Sequence, residues 1–123
     1  MKRAFIELGG QKFNLEITET IFEKTKGLMD RDYLHDNAGM LFVFNFEWIY
    51  PFTMKNMKFP LDIIWIDRHE KIVYIAEYVK PCRAMICPAI NPWKRAKYVL
   101  EVNAGTVKKL GLKIEDKITL PQV

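Results

Sequence analysis

The chain has 123 residues and a mass of 14.5 kDa, and half of its residues are apolar, enough to fill the core of one compact domain taken as residues 1–123. Its net charge of +4 and pI near 9.1 are a mild basic excess, compatible with a polyanionic partner without defining one. The most apolar run, Gly39 to Phe52, is interrupted by Asn45 and Glu47 and falls short of the ~20 apolar residues of a membrane span, so no membrane association is expected. The first ten residues carry Lys2, Arg3 and Glu7 without an apolar run of signal-peptide length, which predicts a cytoplasmic protein.

In chain order, "AFIEL" and "KFNLEI" flank Gly9-Gly10, whose freedom at positive φ suits a tight hairpin. Thr18 or Thr20 then caps a short helix, with Glu23 completing a capping box after Thr20; Ile21, Phe22, Leu28 and Met29 fall on roughly one face, and Gly27 ends or bends the helix. "GMLFVF" (39–44) and "LDIIWI" (61–66) are β-branched and aromatic and bounded by turn residues, the pattern of inner strands. "KIVYIAEYV" (71–79) follows the turn Asp67 to Glu70 and should pair back on the strand before it. "KYVLEV" (97–102) alternates, Asn103 is placed to cap a helix over "AGTVKKL", and Gly111 to stop it. "LKI-ED-KITL" reads as a closing hairpin. The sum is about seven or eight strands with hairpin-like connections and no parallel βαβ pattern, hence a mainly β domain, α+β in detail, forming a compact antiparallel sandwich or barrel-like domain with two short helices.

The stretch "FTMKNMKFPLDIIWID" (52–67) sets Lys55 and Asn56 between two methionines ahead of an apolar strand. An ammonium withdrawn from water needs an acceptor, because an unpaired buried charge costs several kcal/mol; Asp62, Asp67 and Glu101 are the available acids. Two readings stand: a structural network in which Asn56 caps a turn and Asp62 fixes Lys55, or a binding site of Arg31, Lys55, Asn56, Asp62, Asp67 and Glu101 for a small anionic or partly apolar ligand. Met54 and Met57 read as packing rather than as metal ligands. Phe46, Trp48, Tyr50 and Phe52 are dense enough to line an apolar pocket. An enzyme is a third reading, weakened by the lack of Ser-His-Asp or Cys-His ordering, and no cofactor is expected.

Cys82 and Cys87 are the two cysteines, in the proline-bounded segment "KPCRAMICPAINPWKRAK". A disulfide, two inert thiols and a metal site compete. The metal is disfavoured because two thiols need two more ligands and His35 and His69, which read as surface residues, are the remaining candidates. The same segment carries Lys80, Arg83, Lys94, Arg95 and Lys97 without an acid, and Trp93 beside them. Cations for phosphates and a ring to stack on a base make a nucleic-acid contact the alternative function.

Gly27-Leu28-Met29, Arg31, Leu34, Gly39-Met40-Leu41-Phe42-Val43-Phe44, Met54-Lys55-Asn56, Pro60-Leu61-Asp62-Ile63 and Asp67, continued by Pro81-Cys82, Tyr98-Val99-Leu100-Glu101 and Ala104-Gly105, resemble the domain of unknown function 192 family. The likeness spans about residues 10–120. It implies a small β-rich fold and no particular reaction, substrate or cofactor. The chain departs from the family pattern at Glu70 and Glu115, where glycine is usual; a glutamate there is either strained or sits in a different turn.

Overall fold

The structure, a computed structural model, describes residues 2–121. Six strands and two helices follow one another as β1 (Lys2–Leu8), β2 (Gln11–Thr18), α1 (Ile21–Lys26), β3 (Ala38–Trp48), β4 (Leu61–Ile66), β5 (Ile72–Val79), β6 (Ala96–Asn103) and α2 (Thr106–Leu110). They form one sheet in the order β1-β2-β3-β6-β4-β5. The protein is thus mainly β with two short helices, and the sheet does not close into a barrel. Only β1–β2 and β4–β5 are joined as hairpins: β6 inserts between β3 and β4, so the links β3–β4 and β5–β6 cross over a neighbouring strand. In addition, β2 and β3 pair in parallel, Asn14 opposite Ala38 to Thr18 opposite Phe42, because α1 and the loop after it carry the chain back to the start of the next strand.

All six residues of β4 are buried, which requires apolar layers on both faces of the sheet. Strand alternation sorts them. Leu15, Ile17, Leu41, Ile64, Ile66, Leu100 and Val102 pack on one face with Val107 of α2 and with Ile118 and Leu120. Met40, Phe42, Ile63, Trp65 and Val99 pack on the other with Leu28, Met54 and Met57.

The helix ends show how local and distant groups share one task. At α1 the Thr20 hydroxyl accepts the Glu23 N–H at 3.1 Å, Glu23 reaches back to the Thr20 N–H, and Gly27 ends the helix at φ 48°. Of its expected apolar face, Leu28 is buried and Ile21 is exposed, while the side chain of Phe22 lies outside the described set. At α2 the expected cap is not used: Asn103 spends its amide on the carbonyls of Leu34 and His35, at 2.7 and 3.2 Å, and Gly105 occupies the cap position at φ 93° with no side-chain bond. The carboxylate of Asp62 takes over, accepting the Val107 N–H at 2.8 Å and, through its other oxygen, the Tyr78 N–H at 2.9 Å. A buried carboxylate thereby satisfies one of the helix's free N–H groups and a bulged strand at once.

The closing segment is a strap and not the hairpin read from the sequence. It bridges Lys71, just ahead of β5, through Lys117; the Glu115 and Ile118 N–H groups donate to the carbonyls of Ile72 and Glu70, the Ile72 N–H donates to the Asp116 carbonyl, and Ile118 and Leu120 then seal the first core face. Glu70 and Glu115, the two departures from the family pattern, both take left-handed backbone, at φ 66° and 82°, so the strain is accepted rather than avoided. Glu70 has a compensation, since its carboxylate accepts the Leu120 N–H at 2.9 Å. Glu115 makes no comparable side-chain bond among the described residues.

Glu115→Gly is therefore expected to raise the unfolding free energy by about 0.5–1 kcal/mol, and Glu70→Gly to gain less because a bond is lost with the strain; urea denaturation of both variants checks this, and a loss at position 115 would refute it. Asp62→Ala, which leaves two N–H groups without their acceptor, should cost about 2–5 kcal/mol in the same measurement.

Candidate functional site

Strand β6 runs between β3 and β4, with Glu101 opposite Met40 on one side and Ile63 on the other. It therefore points to the face of Phe42, Trp65 and Val99, whereas Asp62, opposite Val102, points to the face of α2. Glu101 is 5% exposed, and no hydrogen bond reaches its carboxyl from the described residues. Burial in this apolar layer pushes its pKa up to about 8, so the group is mainly protonated at neutral pH.

What opens above Glu101 is a cleft of about 330 Å³. Gly27 and Leu28 at the end of α1, Phe42 and Phe44 of β3, and the segment Tyr50 to Met57 form its walls. The aromatic wall is held by its own geometry. Phe44 stacks on Tyr50 at 3.7 Å between centroids, Phe42 meets Phe52 edge-on at 4.9 Å, and Phe52 meets Trp65 at 5.9 Å. The indole N–H of Trp65 donates to the Tyr50 carbonyl at 2.8 Å, and the Tyr50 hydroxyl to the Phe46 carbonyl at 2.6 Å. Burial raises the Tyr50 pKa, keeping that hydroxyl a donor.

Lys24, Lys26 and Lys55 stand around the cleft, and among the described lining residues Glu101 is the only acid. Lys24 lies 4.8 Å from the Phe44 centroid and donates to the Glu19 carbonyl at 2.9 Å; burial lowers its pKa from the ordinary lysine value. Lys26 and Lys55 are exposed and make no ion pair among the described residues.

The six candidate residues are thus divided. Lys55 and Glu101 meet at the cleft. Lys55 remains in water and needs no buried acceptor, and Asp62 holds α2 on the opposite face rather than fixing Lys55. Asn56 serves by its backbone: at φ 59°, a conformation asparagine tolerates, its N–H donates to Cys82 and its carbonyl accepts the Asp30 N–H at 2.9 Å. Asp67 accepts the N–H groups of His69 and Lys71 in the β4–β5 turn. Arg31 forms a two-pronged pair with Glu16 in a separate polar groove; the pair lowers the Glu16 pKa and raises that of Arg31. Of the four clustered aromatics, Tyr50 and Phe52 line the cleft, while Phe46 and Trp48 are exposed. The sequence reading missed Lys24, Lys26 and Phe44; the basic last turn of α1 was the available clue.

Cys82 and Cys87 form a disulfide with Cα atoms 5.9 Å apart. The loop it pins is stitched to the cleft segment, Cys82 exchanging backbone bonds with Met54 and Asn56, and Ile90 with Phe52. Along the basic loop Lys80, Arg83, Trp93, Lys94 and Arg95 are exposed and Lys97 is half-buried. Arg95 lies over the Trp48 ring and Lys97 over Tyr98.

A single mixed sheet with a buried acid under an aromatic cleft defines a small α+β domain of one particular build. The chain belongs to the DUF192 family, described as "Uncharacterized ACR", whose model matches residues 4–120. A protein of unknown function from Novosphingobium aromaticivorans has a similar solved structure, with TM-score 0.83 and 32% identity over 94% of this chain and 81% of that one. A "putative transcription regulator" from Sinorhizobium meliloti is similar to the same degree, with TM-score 0.83 and 32% identity over 95% of this chain and 89% of that one. No curated protein matches the chain.

The buried acid has a signature in solution. Unfolded, Glu101 ionises near 4.5; folded, it holds its proton to about 8. Between these values the native state binds the extra proton, so stability falls as pH rises through the window and levels off above it. Glu101→Gln should remove that slope, gaining on the parent by on the order of 3–5 kcal/mol from pH 4.5 to 9 in denaturant titrations. Parallel curves would show that Glu101 ionises normally in the fold.

Proposed function

We propose that the protein is a small-ligand-binding or accessory module whose partly apolar ligand sits in the cleft over Glu101. The observation that carries this reading is a carboxyl group buried in an apolar layer, without an internal hydrogen-bond partner among the described residues, at a cleft walled by the rings of Phe42, Phe44, Tyr50 and Phe52. Buried polar groups are normally paired, and a group open to a concave apolar site is available to an incoming ligand. Arg31, Asn56, Asp62 and Asp67 then hold the fold around the site, and Lys55 and Glu101 face the ligand.

A second reading, a nucleic-acid-associated module, is favoured by Trp93, 76% exposed and next to exposed Lys94. It is weakened by Arg95 and Lys97, whose cationic groups lie over rings of the protein itself.

Amide NMR of the purified protein, titrated with a panel of small aromatic compounds, separates the two. The cleft reading expects shifts at Gly27, Phe52, Lys55 and Glu101, insensitive to replacement of Lys94 and Arg95 and weakened about tenfold by Phe44→Ala. Binding of mixed RNA or DNA that falls steeply with added salt, with no compound shifting those amides, would favour the loop instead.

A further inference from the structure

Resting on the cleft reading, we infer the class of ligand: a small amphipathic monoanion, an organic acid with an aromatic or aliphatic body, whose oxygens accept a hydrogen bond from the Glu101 carboxyl and whose charge is balanced by Lys26 and Lys55. The charge pattern argues for it. Among the described residues, three lysines and one acid line the cleft. Among the described residues, the acid lies inside the apolar layer without a partner, and Lys26 and Lys55 are exposed and carry no ion pair.

A cationic ligand would enter past like charges and, unless it ionised Glu101 within that layer, would leave the O–H donor of the protonated acid unused, which is doubly unfavourable. A neutral apolar ligand would leave the carboxyl without a partner. An anion meets both demands: it accepts from the protonated acid and relieves the surplus of positive charge. The groups around Glu101 are Lys24 and Lys26 from α1, and Tyr50 and Lys55 from the segment covering the sheet. The Tyr50 hydroxyl is committed to the Phe46 carbonyl and Lys24 to the Glu19 carbonyl, which leaves Lys26 and Lys55 to meet the ligand's charge. The cleft, about 330 Å³, is at the lower end of small-molecule sites and suits a body of one ring or a short chain.

Because the donor is an acid, binding is coupled to its proton. With the Glu101 pKa near 8, an anion should bind well at pH 6.5 and lose about tenfold in affinity by pH 9, where roughly a tenth of the protein still holds the proton.

Three probes with the same apolar body read the charge directly: 3-phenylpropionate, 3-phenylpropanamide and 3-phenylpropylamine, titrated into the full chain and followed by amide NMR at pH 6.5 and 9. The carboxylate is expected to bind at least fivefold tighter than the amide at pH 6.5, with the amine weakest, and to lose about tenfold at pH 9. Glu101→Gln keeps a donor that does not titrate, so its carboxylate affinity should be the same at both pH values. Replacing both Lys26 and Lys55 by methionine should abolish the preference for carboxylate over amide. Shifts at the cleft with the amine tightest, or with carboxylate binding independent of pH in the parent, overturn the anion assignment and leave the cleft as a binding site. Shifts elsewhere, or none with any probe, overturn the cleft reading as well.

Discussion

Two acids on neighbouring strands, one residue apart in register, divide this molecule into its structural half and its open half. Asp62 pairs with Val102 and Ile63 with Glu101, so the alternation of the strands sends the two carboxyl groups to opposite faces of a sheet that is covered on both. On one face Asp62 finds two N–H donors and joins β4, β5 and α2 into one body. On the other, Glu101 is met by apolar side chains and a cleft, and no donor from the described residues reaches it. The same side-chain chemistry ties elements together where donors face it and, buried without them at Glu101, retains its proton.

That division explains why the cleft can exist without endangering the fold. The face of α2 and the strap is closed by Val107, Ile118 and Leu120, and its polar groups are paired around Asp62. The opposite face is covered by a short helix and by the segment Tyr50 to Met57, which is irregular and hangs on aromatic contacts and on the Cys82–Cys87 loop. A cover of this kind leaves space between its rings that a helix packed ridge into groove would fill.

Much of the fold was legible because its cues are local. The Gly9-Gly10 turn, the capping box at Thr20, the apolar runs of β3 and β4 and the stop at Gly111 each depend on residues a few positions apart. What was not legible depends on distant partners. The parallel pairing of β2 with β3 and the capping of α2 by a carboxylate 45 positions earlier leave no mark on the spacing of neighbouring residues. Asn103 carried the right chemistry for a cap and was drawn away by two carbonyls of another loop. The site shows the same limit: Glu101 and Lys55 could be named as polar residues near apolar strands, but the basic last turn of α1 reveals Lys24 and Lys26 without showing that tertiary packing brings them to the cleft.

The strap has a further consequence for how the molecule is made. Ile6 and Leu8 of the first strand lie in the same apolar layer as Ile118 and Leu120. During synthesis the β1 part of that layer is therefore exposed long before the strap residues that cover it exist. Contacts of such sequence separation are slow to form, so a nascent chain halted before residue 118 would present an unfinished greasy surface to whatever protects or degrades proteins at the ribosome.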